Sequence, residues 1–285
     1  MSGPEFPERL DALTDRYNVI LCDVWGVLHN GVSPFPAASA ALERARAKGV
    51  TVVLITNSPR PRKGVIDQLR AIGVSDDAYD RIVTSGDVTR ELIRSGPRKI
   101  FHLGPERDFE LYDGLDVDLV EEFEADGVVC TGLFDDDTET PDDYADMLQR
   151  LRSRNLPFIC ANPDIVVERG PRLIWCAGAL ARDYGQLGGR TLIAGKPHRP
   201  IYEAALAAAQ ELRDTPIDHD RVLAVGDGML TDVKGGEQFG LGVLYISGGI
   251  HAGDYLQGGA HDVELLKDFL AKHGSNPVAT MHALV

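Results

Sequence analysis

Asn18-Val-Ile-Leu-Cys22 is an apolar, β-branched run that stops at Asp23-Val24-Trp25-Gly26-Val27-Leu28, and the pairing of apolar run with polar motif recurs along the chain. Thr56-Asn57 follows Val50-Thr-Val-Val-Leu-Ile55, Gly226-Asp-Gly-Met-Leu-Thr-Asp232 follows Arg221-Val-Leu-Ala-Val225, and Lys196 stands inside Ala194-Gly-Lys-Pro197. Runs with so little polar alternation suit strands of a parallel sheet covered on both faces. Ligands of such sheets collect at the carboxyl ends of the strands, which is where these motifs fall.

Working outward, strand-like runs at 18–22, 50–55, 191–195, 221–225 and 241–246 alternate with helical patterns at about 36–48, 61–72, 200–213 and 231–239. That alternation predicts βαβ units and an α/β fold with a doubly wound, Rossmann-like parallel sheet as its core. The helix after Lys196 shows it best, with Pro200 at its start and Ile201, Ala205, Ala208 and Leu212 on one face. Only a hairpin flap and one βα unit fit between Asp23 and Thr56, whereas the stretch between Thr56 and Lys196 has space for a second domain. We expect a core of residues 1–97 and 190–285 and an inserted α/β domain at 98–189, with strands at Lys99-Ile-Phe-His102, Gly127-Val-Val-Cys130 and Pro157-Phe-Ile-Cys160. The tract Asp135-Asp-Asp-Thr-Glu-Thr-Pro-Asp-Asp143 reads as an acidic loop opening a helix, whose positive dipole end favours carboxylates.

The chain has 285 residues, 44% of them hydrophobic, enough for one large domain or two modest ones. No apolar run approaches the ~20 residues of a membrane helix, and the N-terminal stretch lacks the basic and hydrophobic regions of a secretory signal, so a cytoplasmic location is expected. The cysteines at 22, 130, 160 and 176 form no Cys-x-x-Cys pair and read as buried free thiols. A formal charge of −15 argues against nucleic acid or an anionic membrane as partner. It also repels phosphorylated molecules, so a site for one would need local positive charge, which Lys196 and a divalent metal could supply.

With Thr84-Ser-Gly86, Cys160-Ala-Asn-Pro-Asp164 and Cys176-Ala-Gly-Ala-Leu180 added to the four motifs, the chain resembles the haloacid dehalogenase (HAD) superfamily. Within it the similarity is to subfamily IIA, the branch of nucleotide, nitrophenyl-phosphate and pyridoxal-phosphate phosphatases. The resemblance implies a cap domain inserted in the C2-type position, closing over the site to exclude water and hold the substrate's organic part. It also implies Mg²⁺ as cofactor, a small phosphorylated metabolite as substrate and a homodimer paired through the caps.

Residue by residue, the resemblance makes Asp23 the nucleophile and a metal ligand, Asp227 the second carboxylate ligand and the Trp25 backbone carbonyl the third protein ligand. Thr56 and Asn57 would offer a hydroxyl and backbone N–H groups to phosphoryl oxygens, and Lys196 would neutralise their charge. Asp232 would accept from metal-bound water or orient Lys196. Taken singly, Thr56 or Asn57 also suits a helix cap, and Asp232 a residue at a helix start. The family's first motif is Asp-x-Asp-Gly, and its second Asp is the acid that protonates the leaving group. Here Trp25 holds that place, and an indole has no proton to give at neutral pH. His29, His198 or His251 could substitute, since imidazole titrates near neutrality, or each could be a loop residue bonded locally. Arg60 and Arg62 could meet a second anion of the substrate or stand as solvated residues at a helix start. Two functions follow as expectations: a Mg²⁺-dependent phosphohydrolase working through an aspartyl-phosphate on Asp23, or a phosphate or metabolite binder with little turnover.

Overall fold

The computed structural model describes residues 3–257 and 260–285; these fall into two compact units, one within 3–56, 68–83 and 202–285, the other within 57–67 and 84–201. The two main sheets and one hairpin are built from β1 (Val19–Cys22), β2 (Thr51–Thr56), β3 (Arg81–Thr84), β4 (Lys99–Leu103), β5 (Asp118–Leu119), β6 (Gly127–Cys130), β7 (Phe158–Cys160), β8 (Val166–Arg169), β9 (Arg172–Trp175), β10 (Thr191–Ile193), β11 (Val222–Gly226), β12 (Gly242–Ile246) and β13 (Ala279–Met281).

The first unit is built on a six-stranded sheet in the order β13-β12-β11-β1-β2-β3. From β1 the chain steps outward through β2 to β3, and it later returns to the other side of β1 with β11, β12 and β13. The strand order therefore reverses between β1 and β11, and a crevice opens at such a switch point outside the carboxyl ends of the strands. The register is parallel, with Cys22 level with both Val225 and Leu54. Every residue of β1, β2 and β11 is buried, as their unbroken apolar runs require of strands covered on both faces. The helix Pro36–Ala47 turns Ala38, Ala41, Leu42 and Ala45 inward, and Val263–Lys272 does the same with Leu266 and Leu270.

The second unit carries a five-stranded sheet, β10-β7-β6-β4-β5, whose strand pairings are parallel, and a separate antiparallel β8–β9 hairpin. The three strands expected in the inserted domain are all here. Its core gathers Leu103, Val128, Leu148, Leu151, Phe158, Leu180 and Tyr184, with Phe158 stacked on Tyr184 at 4.9 Å. Thr140 and Asp143 form a capping box at the start of the helical stretch that leads into Ala145–Ser153, so the acidic tract does open a helix. All four cysteines are buried, and none is in a disulfide.

Three expectations change. The run at 191–195 is a strand, but it pairs with β7 in the second sheet and not with the first. A short apolar run names a strand without naming its partner. The helix predicted at 200–213 is Arg199–Gln210, and its buried face is Ile201, Tyr202, Ala205 and Ala209. Leu212 lies beyond its end and is exposed, and Ala208 is only partly covered. The helix predicted at 231–239 begins earlier, as a wide turn over Met229–Val233 before Lys234–Gln238, with the Val233 N–H donating to the Gly228 carbonyl at 3.1 Å. Such i→i+5 turns recur at functional sites because they redirect a side chain.

Candidate active site

In the first unit, β1 delivers Asp23 and β11 delivers Asp227 on either side of the switch point. The Asp23 N–H donates to the Val225 carbonyl at 2.8 Å, so the parallel register itself sets Asp23 beside the start of the Gly226–Asp232 motif. Asp232 joins them. One carboxylate oxygen from each of the three lies within 4.8 Å of the other two, and the residues are 6%, 6% and 4% exposed. Three buried carboxylates at such a spacing repel one another as anions, and the donor set suits a hard divalent cation that takes oxygen ligands and keeps several waters. The trio Asp135, Asp136 and Asp137 is also close-set but lies nearer solvent, with Asp136 ion-paired to Arg107 and Arg169 and Asp137 to Arg169 and Arg172. That charge balance marks a structural network.

The carboxylates are oriented by the backbone. Asp227 Oδ2 accepts the Ile250 N–H at 2.9 Å, and Asp232 Oδ2 accepts the Gly228 N–H at 3.1 Å across the wide turn. Two glycines make room for Asp227. A Cβ at Gly249 would fall 2.0 Å from its Oδ2, and one at Gly26 would fall 2.2 Å away, at a φ of +85° that side chains rarely adopt. His251 accepts the Met229 N–H through Nε2 at 3.3 Å, and burial pulls its pKa down despite Asp254 nearby.

The flap after β1 holds Trp25 and His29. His29 is 2% exposed, its Nδ1 accepts the Gly31 N–H at 2.8 Å, and burial lowers its pKa to about 4. Nδ1 being an acceptor, the proton of the neutral ring sits on Nε2. The ring resists protonation and so fits poorly as a stand-in for the missing acid. Thr56, the last residue of β2, is also buried.

In the second unit, Asn57 and Lys196 come together. The Lys196 N–H donates to Asn57 Oδ1 at 2.8 Å, and Asn57 Nδ2 donates to Asp164 Oδ1 at 2.8 Å. The Asn57 side chain is thus committed to protein partners. Arg60 donates to Glu110 at 3.0 Å and Arg62 to Asp87 at 3.1 Å, so both guanidinium groups already meet carboxylates. His198 is exposed.

Sequence reasoning missed three partners: Ile250, His251 in its role toward Met229, and Asp164. Gly248-Gly249 after β12 hinted at a close backbone approach, and Asp164 was already inside a quoted motif without a role.

Residues 20–118 match the model of the haloacid dehalogenase-like hydrolases, and residues 193–272 match a HAD-hydrolase-like model. The crystal structure of a haloacid dehalogenase-like hydrolase from Brucella suis 1330 is 67% identical, covers 98% of this chain and 100% of its own, and superposes with a TM-score of 0.89. The 4-nitrophenylphosphatase of Schizosaccharomyces pombe is 23% identical over 83% of this chain and 85% of its own length. The ribonucleotide monophosphatase NagD of Escherichia coli K12 is 26% identical over 82% and 89%. This chain belongs to the haloacid dehalogenase-like hydrolases, in the subfamily IIA branch that holds the nitrophenyl-phosphatases and NagD.

Proposed function

We propose that this chain is a Mg²⁺-dependent phosphatase that hydrolyses a small phosphorylated metabolite through an aspartyl-phosphate on Asp23. The observation that carries this reading is the buried carboxylate trio of Asp23, Asp227 and Asp232 at the carboxyl edge of a parallel sheet. In this reading Asp23 attacks phosphorus, its new P–O bond forming as the ester P–O bond breaks, and water then cleaves the acyl phosphate. Asp227 and Asp23, with the Trp25 carbonyl, would hold the metal, and Asp232 would steady it. A bound Mg²⁺ supplies positive charge to the phosphoryl oxygens. Thr56, the Asn57 backbone and Lys196 are assigned to those oxygens, an assignment that rests on residue type and motif. The enzyme is proposed to be cytoplasmic and to dimerise through the inserted domain.

A second reading, a phosphate or metabolite binder with little turnover, draws on one observation: the acid's place is taken by Trp25, and the nearby His29 is held neutral. Hydrolysis of a panel of phosphorylated metabolites with Mg²⁺, set beside ligand-induced thermal shifts on the same panel, separates the two. Turnover supports the enzyme; shifts without turnover support the binder; neither removes both.

A further inference from the structure

We propose that Asp164 is a positioning residue for Lys196, acting through the side-chain amide of Asn57; the inference deepens the phosphatase reading and rests on it. Asn57 is 2% exposed, and its amide makes a short chain of bonds. Nδ2 donates to Asp164 Oδ1 at 2.8 Å, Oδ1 accepts the Lys196 N–H at 2.8 Å, and Nδ2 also reaches the Lys196 carbonyl at 3.4 Å. A primary amide has nearly the same shape either way round, so its partners decide which way it points. An ionised carboxylate offers acceptors only. Asp164 therefore draws Nδ2 toward itself and leaves Oδ1 for the Lys196 N–H. With the amide reversed, oxygen would face oxygen at the half-buried Asp164 and N–H would face N–H at the buried Lys196.

The placement of Asp164 is itself built. Its N–H donates to Asn162 Oδ1 at 3.1 Å, its carbonyl accepts the Gly178 N–H at 3.1 Å, and the next carbonyl, Ile165, accepts from Cys176 at 2.9 Å. The chain after β7 is thereby clamped to the start of the helix Ala177–Gln186. A Cβ at Gly178 would fall 2.1 Å from the Pro163 carbonyl oxygen, so only glycine permits the clamp. Cys160-Ala-Asn-Pro-Asp164 and Cys176-Ala-Gly-Ala-Leu180 thus gain a common purpose. They hold a carboxylate that sets an amide, which sets the backbone from which the Lys196 side chain departs. Cys160 lies level with Ile193 in the β7–β10 pairing, so Asp164 and Lys196 follow neighbouring strand ends.

The test measures kcat and KM on 4-nitrophenyl phosphate with Mg²⁺ for wild type, Asp164→Ala, Asp164→Asn, Asn57→Ala and the double variant Asn57→Ala/Asp164→Ala, alongside hydrogen exchange at the Lys196 amide. Asp164→Ala should lower kcat about 10–100-fold, the usual cost of losing an outer support or misplacing a group by an ångström, with KM changed far less. Asp164→Asn, whose own oxygen can still accept from Asn57, should recover most of that loss. The double variant should be no worse than Asn57→Ala alone, because the effect passes through Asn57. Wild-type kcat in Asp164→Ala, or a double variant slowed by the product of the single effects, overturns the proposal. If Asp164→Ala does not fold, exchange decides. The Lys196 amide should stay slow in Asp164→Asn and become faster in Asn57→Ala, and equal rates in wild type and Asn57→Ala overturn the link. Absence of hydrolysis by wild type would sink the phosphatase reading while leaving the exchange result to judge the brace.

Discussion

The His29 imidazole stands edge-on to the Trp25 indole, with ring centroids 4.9 Å apart and planes at 65°, while Nδ1 is taken by the Gly31 N–H. A Cβ at Gly31 would lie 2.4 Å from the indole, so the flap is packed tightly around this pair. The arrangement supports Trp25 in its place and leaves His29 a neutral ring with one nitrogen occupied. The position that should carry the acid thus has an aromatic pair in its stead.

The rate should therefore fall steeply as the leaving group becomes more basic, since general acid catalysis typically contributes ~10²–10⁴-fold and matters most for alkoxides. A series of aryl and alkyl phosphates assayed for kcat/KM gives the slope. Trp25→Asp should flatten it, and His29→Ala should leave it unchanged. A flat wild-type plot that steepens in His29→Ala would show that His29 does donate the proton.

His29 also predicts a pH dependence of stability. Its folded pKa of about 4 lies below the ~6.5 of an unfolded histidine, so the unfolded chain holds more protons between those values. Stability from this group is fully present above about pH 6.5 and is lost as pH falls toward 4, by ~3 kcal/mol in all. Urea unfolding at pH 7.5 and 4.5 in the presence of a chelator should show a smaller loss in His29→Gln than in wild type. Equal losses would place the ring in a more open setting than the flap described.

Asp227 should govern metal affinity through its cradle. Gly249→Ala drives a methyl group against Oδ2, and Asp227→Ala removes the carboxylate altogether. Both should raise the Mg²⁺ concentration needed for activity, Asp227→Ala the more, and both should weaken the Mg²⁺-induced thermal shift. An unchanged Mg²⁺ requirement in both would mean that the metal is held elsewhere.

Asp23→Asn should abolish turnover in a folded protein, because an amide is a poor nucleophile and a poor metal ligand. Mass spectrometry of wild type quenched during turnover should find added phosphate on Asp23, and substantial activity in Asp23→Asn would refute the covalent route.

The end of the helix Arg199–Gln210 can be tested by stability alone. Ile201 is fully buried, and Ile201→Ala should cost about 2–5 kcal/mol. Leu212 is 38% exposed beyond the helix, and Leu212→Ala should stay within about 0.5 kcal/mol. Similar losses for the two would return Leu212 to the core.

The sequence by itself determined β1, β2, β11 and β12 of the first sheet and β4, β6, β7 and β10 of the second, with the polar residue that ends β1, β2 and β11, but gave no sign of the edge strands β3 and β13. An unbroken apolar run is a local pattern, and in a parallel sheet the residue after it must emerge at the carboxyl edge, so Asp23, Thr56 and Asp227 were legible in place. What only the tertiary structure decided was pairing across long separations. β10 could have joined either sheet on its own composition, and it pairs with β7. Asp164 meets Asn57 across 107 residues, and Ile250 meets Asp227 across 23. Neither bond leaves a signature of its distant partner in local residue type or period. The wide turn that sends Asp232 toward Asp23 and Asp227 was equally hidden, because its helical pattern reads the same whether the first turn closes at four residues or five.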